Sequence, residues 1–384
     1  MNNFPGGKRR NYRLIGEFLV RKRLLGVRIL TARYSMIVIV TLLFLFTFGC
    51  GVSDADQKVQ DNTSEEIINQ DEKENEEKSQ ENSGNNIEEL QEGPLPANEA
   101  GQVMVLMYHR FGDTESTWQR TWGNFRVDIE RLYEEGYRLI SIKDYLNNTI
   151  DIPAGYSPVI LTFDDGYSNQ FSVEKIEDEW VLKPQTAAGI MFEFYQEHPD
   201  FGLEGIFYVN SQPFNGGNWR IAAEYLVGEL GMDIGNHTRT HINMNEHGPN
   251  KVIEELGGLV KDFQEVLPNY QIDSLALPFG VAPSSPETLS GEYDGVKYEN
   301  KGVLLVGANP ALSPIAEKYN PLKIPRIRGD EENFTKWLDY FIENPHLRYV
   351  SDGDPEKITV PSDMNDILSP EVLEDKRLQV YHRE

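Results

Sequence analysis

The run Val159-Ile-Leu-Thr-Phe163 leads without interruption into Asp164-Asp165-Gly166-Tyr167. A continuous apolar run of this length reads as a strand buried on both faces. Two adjacent carboxylates therefore stand at the end of a core strand, where like charges repel unless a cation joins them. About seventy residues on comes His237-Thr238-Arg239-Thr240-His241, with two of the chain's seven histidines four apart. That spacing lets both rings face one side of a helical turn. One aspartate and two histidines make a three-ligand metal site with a position open for water. The second aspartate is left over as a general base. This inventory suits metal-assisted hydrolysis; taken alone, Asp164-Asp165-Gly166 also suits an ordinary turn.

The surrounding pattern predicts an α/β fold. Strands are expected at Val103–Tyr108, Tyr137–Ile142, Val159–Phe163, Gly205–Val209, Met232–Gly235, Ser274–Leu277 and Gly302–Val306. Helical spacing covers Phe125–Tyr133, Ile221–Leu230, Lys251–Leu267 and Phe334–Ile342. Strands alternating with helices imply βα units and a parallel sheet. Asp164, Asp165, His237 and Pro278-Phe279 each follow the C-terminal end of a predicted strand, which is the rim where β/α barrels build their active sites.

Thr162-Phe-Asp-Asp-Gly166 followed by His237-Thr-Arg-Thr-His241 resembles the polysaccharide deacetylase family, carbohydrate esterase family 4, over roughly residues 102 to 330. The resemblance implies a distorted (β/α) barrel and removal of acetyl groups from N-acetylated sugars. It implies Asp164 as catalytic base and Asp165, His237 and His241 as ligands of one divalent metal. Zn²⁺ suits that donor set, and Co²⁺, Ni²⁺ or Fe²⁺ fit it too. In the family's third motif an arginine orients the base; here Ala276 stands at that position in Leu275-Ala-Leu-Pro278-Phe279. Several branches acting on exopolysaccharide resemble this variant. Arg326 is read either as the replacement cation or as a surface arginine. The Phe279 backbone N–H is expected to hold the oxyanion, with Pro278 and Tyr167 beside the substrate. The histidine usually found near the domain end is missing downstream. Leu106-Met-Tyr-His109 instead resembles the poly-N-acetylglucosamine deacetylases, in which the barrel is circularly permuted and this strand comes first. His109 is then the general acid.

The expected reaction is N-deacetylation of an extracellular amino-sugar polysaccharide of the peptidoglycan or poly-N-acetylglucosamine type. The alternative is an inactive carbohydrate-binding surface lipoprotein of the same fold.

The N-terminus speaks to location. Met36–Phe48 is a thirteen-residue run of apolar residues and threonine, preceded by basic residues and followed by Gly49-Cys50. It is short for a spanning helix, which needs about 20 residues, and suits a signal-peptide core. Gly49-Cys50 resembles the lipobox of bacterial lipoproteins, with Thr47 where that motif prefers leucine. Residues 1–49 are expected to be a signal peptide, the alternative being an uncleaved N-terminal anchor, and the resemblance implies Cys50 as the lipidated residue of an extracytoplasmic, membrane-anchored protein. Charge is uneven: about +8 on residues 1–50, −12 on 51–100 and −22 on the remainder. Residues 50–100 read as an acidic disordered tether. The acidic body argues against nucleic acid or an anionic membrane surface as the main partner. The catalytic domain is expected over 101–345 and a C-terminal extension over 346–384. Loop aromatics, among them Trp118, Trp122, Trp180 and Trp219, either stack on sugar faces or pack locally.

Overall fold

Strand β1 (Met104–Tyr108) is buried at every position. After helix α1 (Trp122–Glu134), strand β2 (Tyr137–Leu139) and helix α2 (Ile142–Leu146) comes β3 (Ser157–Asp164), also buried throughout. Strands covered on both faces need apolar residues in both directions, which is why the sequence shows runs rather than alternation. The computed structural model describes residues 95–214, 216–370 and 376–383. These residues belong to one compact unit.

The order continues with α3 (Ala187–Glu197), β4 (Ile206–Val209), α4 (Trp219–Glu224), β5 (Asp233–Asn236), α5 (Pro249–Gln264), β6 (Ser274–Ala276), β7 (Gly302–Leu304), β8 (Ile327–Arg328) and α6 (Glu331–Glu343). The parallel sheet runs β7-β6-β5-β4-β3-β1-β8, with β2 on the first residues of β3. An isolated parallel bridge joins Leu304 to Ile324, just ahead of β8. One segment, 324–328, thus touches both sheet edges, and the sheet curls into a barrel-like wall. Val105, Ile160, Ile206, Tyr208, Ala276, Leu304 and Ile324 pack together inside the curl. Leu106, Leu161, Phe163, Phe207, Leu275 and Val303 alternate outward and pack with the helices.

Several expectations are corrected. The strand expected over Tyr137–Ile142 stops at Leu139, because the Ser141 side chain caps α2 by accepting from Asp144 N–H. The helix expected to Leu230 gives way at Tyr225 to a wider π-helical turn ending at left-handed Gly231. The long connection after Tyr167 holds a ribbon, Val173–Ile176 with Glu179–Leu182, and then α3.

The signal peptide, Cys50 and the tether up to residue 94 lie outside the described residues. The tether does not reach residue 100, because Asn98, Glu99 and Ala100 are buried. They bond to the C-terminal extension: Asn98 pairs with Val350, and Glu99 N–H donates to the Thr359 carbonyl. The extension itself carries two parallel strands, β9 (Lys357–Pro361) and β10 (Arg377–Tyr381).

Candidate active site

Register builds the site. Tyr108 pairs with Phe163 in the parallel β1–β3 ladder. One residue further, the chain places His109 and Asp164 side by side at the rim. Asp164 in turn pairs with Tyr208, and Tyr208 with Gly235, which leads to Asn236 and His237.

Side chains two apart on a strand share a face, so Asp164 points inward above Thr162 and Ile160. Arg326 points inward from the closing segment and is fully buried. Its Nη1 and Nη2 donate to the two Asp164 carboxylate oxygens, both at 2.7 Å. Nη1 also donates to Thr162 Oγ1 at 3.0 Å, and Nε donates to the Leu305 carbonyl. The surface reading of Arg326 is overturned: the arginine absent at Ala276 is supplied from across the barrel. Gly307 makes room for it, since a Cβ there would lie 1.4 Å from the Arg326 carbonyl oxygen. Burial pushes the Asp164 carboxyl upward, but the Arg326 guanidinium outweighs it and holds the group below the ordinary carboxylate range.

Asp165 turns away with φ 78° and faces the histidines. Its Oδ1 lies 3.4 Å from His237 Nε2 and 3.3 Å from His241 Nε2. His237 Nδ1 bonds to the Ala276 carbonyl at 2.7 Å. That bond commits Nδ1 as donor and leaves the Nε2 lone pair available to a cation. The residue at 276 serves this purpose through its backbone, so the alanine costs nothing here. The three donor atoms lie within 4.8 Å of one another. An oxygen and two imidazole nitrogens converging on one point fit a divalent cation of the zinc type.

The segment 237–241 is not a helical turn, contrary to the expectation from spacing. Thr238 and His241 both take left-handed backbone, with φ 58° and 57°. Polar groups hold this loop in place. Asn210 Nδ2 donates to the carbonyls of His237 and Thr238, and Asn236 Oδ1 accepts from Thr238 N–H. The buried Glu255 on α5 accepts from Thr240 through both the N–H (2.7 Å) and the hydroxyl (2.8 Å). Asp262, two turns along α5, grips Arg239 with two 2.9 Å bonds. Glu255 could have been noticed as a lone acid among Val252, Leu256, Leu259 and Phe263 on the buried stripe of that helix.

The remaining candidates lie around this centre. His109 is half-buried, with its ring 4.7 Å from Trp118. Burial lowers its pKa, while Asp164 and Asp165 pull the other way. Pro278 is buried and starts the turn after β6. Phe279 is exposed, has φ 59°, and sets its ring 4.7 Å from His241. Tyr167 accepts a hydrogen bond from Arg110 at 2.9 Å. Gln170, unnoticed in the sequence, is fully buried and donates from Nε2 to the carbonyls of both His109 and Asp164. Of the loop aromatics, Trp118 stands exposed at the rim, whereas Trp219 is buried.

Residues 152–293 match the family model described as polysaccharide deacetylase. Both motifs, Thr162–Gly166 and His237–His241, fall inside that span. Residues 152–293 thus carry a polysaccharide deacetylase domain. The domain is that of a hydrolase, a carbohydrate esterase acting as a polysaccharide N-deacetylase. His109 and Arg326 lie outside the matched span and enter the deacetylase site through the fold. Solved structures similar to this chain include a Streptococcus pyogenes deacetylase, PplD, in complex with acetate. It is 16% identical at a TM-score of 0.47, over 62% of this chain and 98% of that one. A polysaccharide deacetylase from Bacillus cereus is 18% identical at 0.46, over 62% and 69%. IcaB from Ammonifex degensii is 16% identical at 0.46, over 62% and 97%. No curated protein matches the chain.

Proposed function

We propose that the chain is an extracytoplasmic, metal-dependent N-deacetylase acting on an amino-sugar polysaccharide of the peptidoglycan or poly-N-acetylglucosamine type. One observation carries the reading: the Arg326-held Asp164 stands beside the Asp165, His237 and His241 donor set on a single rim. His109 on the first strand supports the poly-N-acetylglucosamine-type branch. The apolar run before Cys50 supports export and lipid anchoring, with the acidic segment as tether.

Asp165, His237 and His241 would hold the cation, which when bound would supply Lewis-acid polarisation of the acetyl carbonyl and a lowered pKa for water. Zn²⁺ is the first choice for this donor set, with Co²⁺, Ni²⁺ and Fe²⁺ as alternatives. Asp164 is ionised at neutral pH and accepts a proton from the attacking water. The Arg326 fork fixes the carboxylate's plane while leaving each oxygen further lone-pair capacity. The Phe279 N–H donates to the oxyanion as it forms. His109 passes a proton to the departing nitrogen. The C–N bond breaks, and acetate and a free amine leave. Burial lowers the His109 pKa, and the proton that Asp164 takes up within the cycle can serve as the one His109 delivers.

The test is acetate release from acetylated glucosamine polymers by the metal-loaded full chain. Asp164→Asn is expected to abolish release while retaining about one metal per chain, and His237→Ala to lose the metal. Full activity in Asp164→Asn would overturn the assignment of the base.

A further inference from the structure

Arg110 stands immediately after His109 on a short ribbon in which Arg110–Gly112 pairs with Gln119–Thr121. The ribbon is firmly anchored. Arg120 is buried and ties it to Asp128 on α1, to Glu331 at the start of α6 and to Glu115. Arg110 itself is exposed. Among the described residues it is the one exposed arginine with no carboxylate within 4 Å. Arg220 has Glu265 and Arg377 has Asp354. The neighbouring rim arginine, Arg328, has Asp330.

In a chain with 62 acids against 36 bases, such a cation has many carboxylates to choose from. Arg110 instead lies over the Tyr167 ring, 4.8 Å from its centroid, and donates Nη2 to the Tyr167 hydroxyl. That hydroxyl, having accepted, keeps its own hydrogen to give. Asp165 is close enough for its charge to act on Arg110, so the guanidinium stands near the metal ligands. Asp164 is held by Arg326, Asp330 by Arg328 and Glu115 by Arg120. Across the ribbon, the Trp118 carbonyl accepts from Arg110 N–H, and Trp118 is 45% exposed. Trp118, with Arg328 over its ring at 5.8 Å, and a guanidinium without a carboxylate partner therefore both stand next to His109.

We propose that Arg110 and the Tyr167 hydroxyl form a subsite for an oxyanion, a carboxylate or phosphate, carried by the glycan next to the acetamido group that is hydrolysed. This rests on the deacetylase reading of the site. A guanidinium and a hydroxyl donor together make charge-assisted hydrogen bonds that a neutral sugar hydroxyl cannot match. The overall negative charge does not prevent it, because exposed charges beyond about 8 Å are largely screened at physiological salt.

The experiment uses the full chain and three matched glucosamine oligosaccharides: neutral, carboxylate-bearing and phosphate-bearing. Binding is measured with the acetylated oligomers on the Asp164→Asn variant, which is expected not to turn them over. Catalysis is measured with the acetylated forms. An anionic oligomer is expected to bind about tenfold more tightly than the neutral one, with the preference weakening as salt rises. Arg110→Gln is expected to erase that preference in both binding and the kcat/KM ratio, and Tyr167→Phe to reduce it. Whichever anion shows the Arg110-dependent preference identifies the source. Equal binding of neutral and anionic oligomers, or a preference that survives Arg110→Gln, would overturn the subsite. Absence of acetate release from every oligomer would count against the deacetylase reading, and the binding comparison would still decide Arg110.

Discussion

Arg326 and Asp164 meet through two hydrogen bonds of 2.7 Å, with both side chains sealed from solvent. They are 162 residues apart in sequence. The pair closes the barrel wall and orients the Asp164 carboxylate at once, because Arg326 also bonds to Thr162 on the strand that presents Asp164. A buried fork of this kind is costly to break from one side, since the partner is left as an uncompensated charge.

Arg326→Lys keeps the charge but cannot form the fork. Burial then pushes the Asp164 carboxyl upward with less opposing it. The expected result is a loss in kcat/KM of about 10–100-fold with metal stoichiometry intact. Arg326→Met should also lower stability by about 3–5 kcal/mol at neutral pH, read by urea unfolding. The sign in pH follows from a depressed carboxyl: the pair's contribution is present above the ordinary pKa of 3.8 and is lost as pH falls below it. The gap between wild type and Arg326→Met should therefore narrow in acid. Unchanged kcat/KM in Arg326→Lys would show that the fork is dispensable.

Glu255→Gln exchanges an acceptor oxygen for an amide that faces a donor of Thr240. The loop between the two histidines loses one of its ties to α5. Metal affinity should fall about 10–100-fold, measured by competition with a chelator, while helix content by circular dichroism stays the same. Wild-type affinity in this variant would mean that Asn210, Asn236 and Asp262 suffice to hold the loop.

Gln170→Met removes the amide that joins the carbonyls of His109 and Asp164. The apolar side chain is of similar length, so folding should survive. The two strand ends are then free to shift relative to each other, and turnover is sensitive to such misplacement. A drop in kcat of about 10–100-fold is expected, with KM and metal content little changed. A larger effect on KM than on kcat would refute this positioning role.

Glu99 sits beneath the C-terminal extension, where burial raises its carboxyl to about 7, against hydrogen bonds from Thr359 and Asp352 that lower it. A raised carboxyl contributes stability below its unfolded pKa of 4.5 that is lost as pH rises through about 7. Thermal unfolding of the wild type should show this decline between those values, amounting to about 3 kcal/mol. In Glu99→Gln the slope should flatten. An identical slope in the variant would place the titration elsewhere.

The proposed metal donors were legible because each lies in a short motif at a strand end. Asp165, His237 and His241 need only local chain geometry and neighbouring strands to converge. Even there the helical spacing of the histidines misled, since two left-handed residues and the Glu255 clamp shape that loop. Gln170 and Glu255 carried no motif, and their importance lies in what their side chains reach.

The sequence by itself determined the elements: apolar runs long enough to be buried on both faces, polar residues placed at their ends, and helices between. It thereby determined the parallel sheet and the rim on which chemistry would gather. How the site is completed depends on contacts between distant parts of the chain. The missing arginine of the third motif could be replaced by any inward-facing cation at the same height of the barrel, and no linear pattern records height. Closure of the wall by residues 324–328 brings Arg326 to Asp164, and strand register brings His109 beside it. Both are long-range pairings, fixed by packing and hydrogen-bond satisfaction in the assembled barrel rather than by any local preference of the chain.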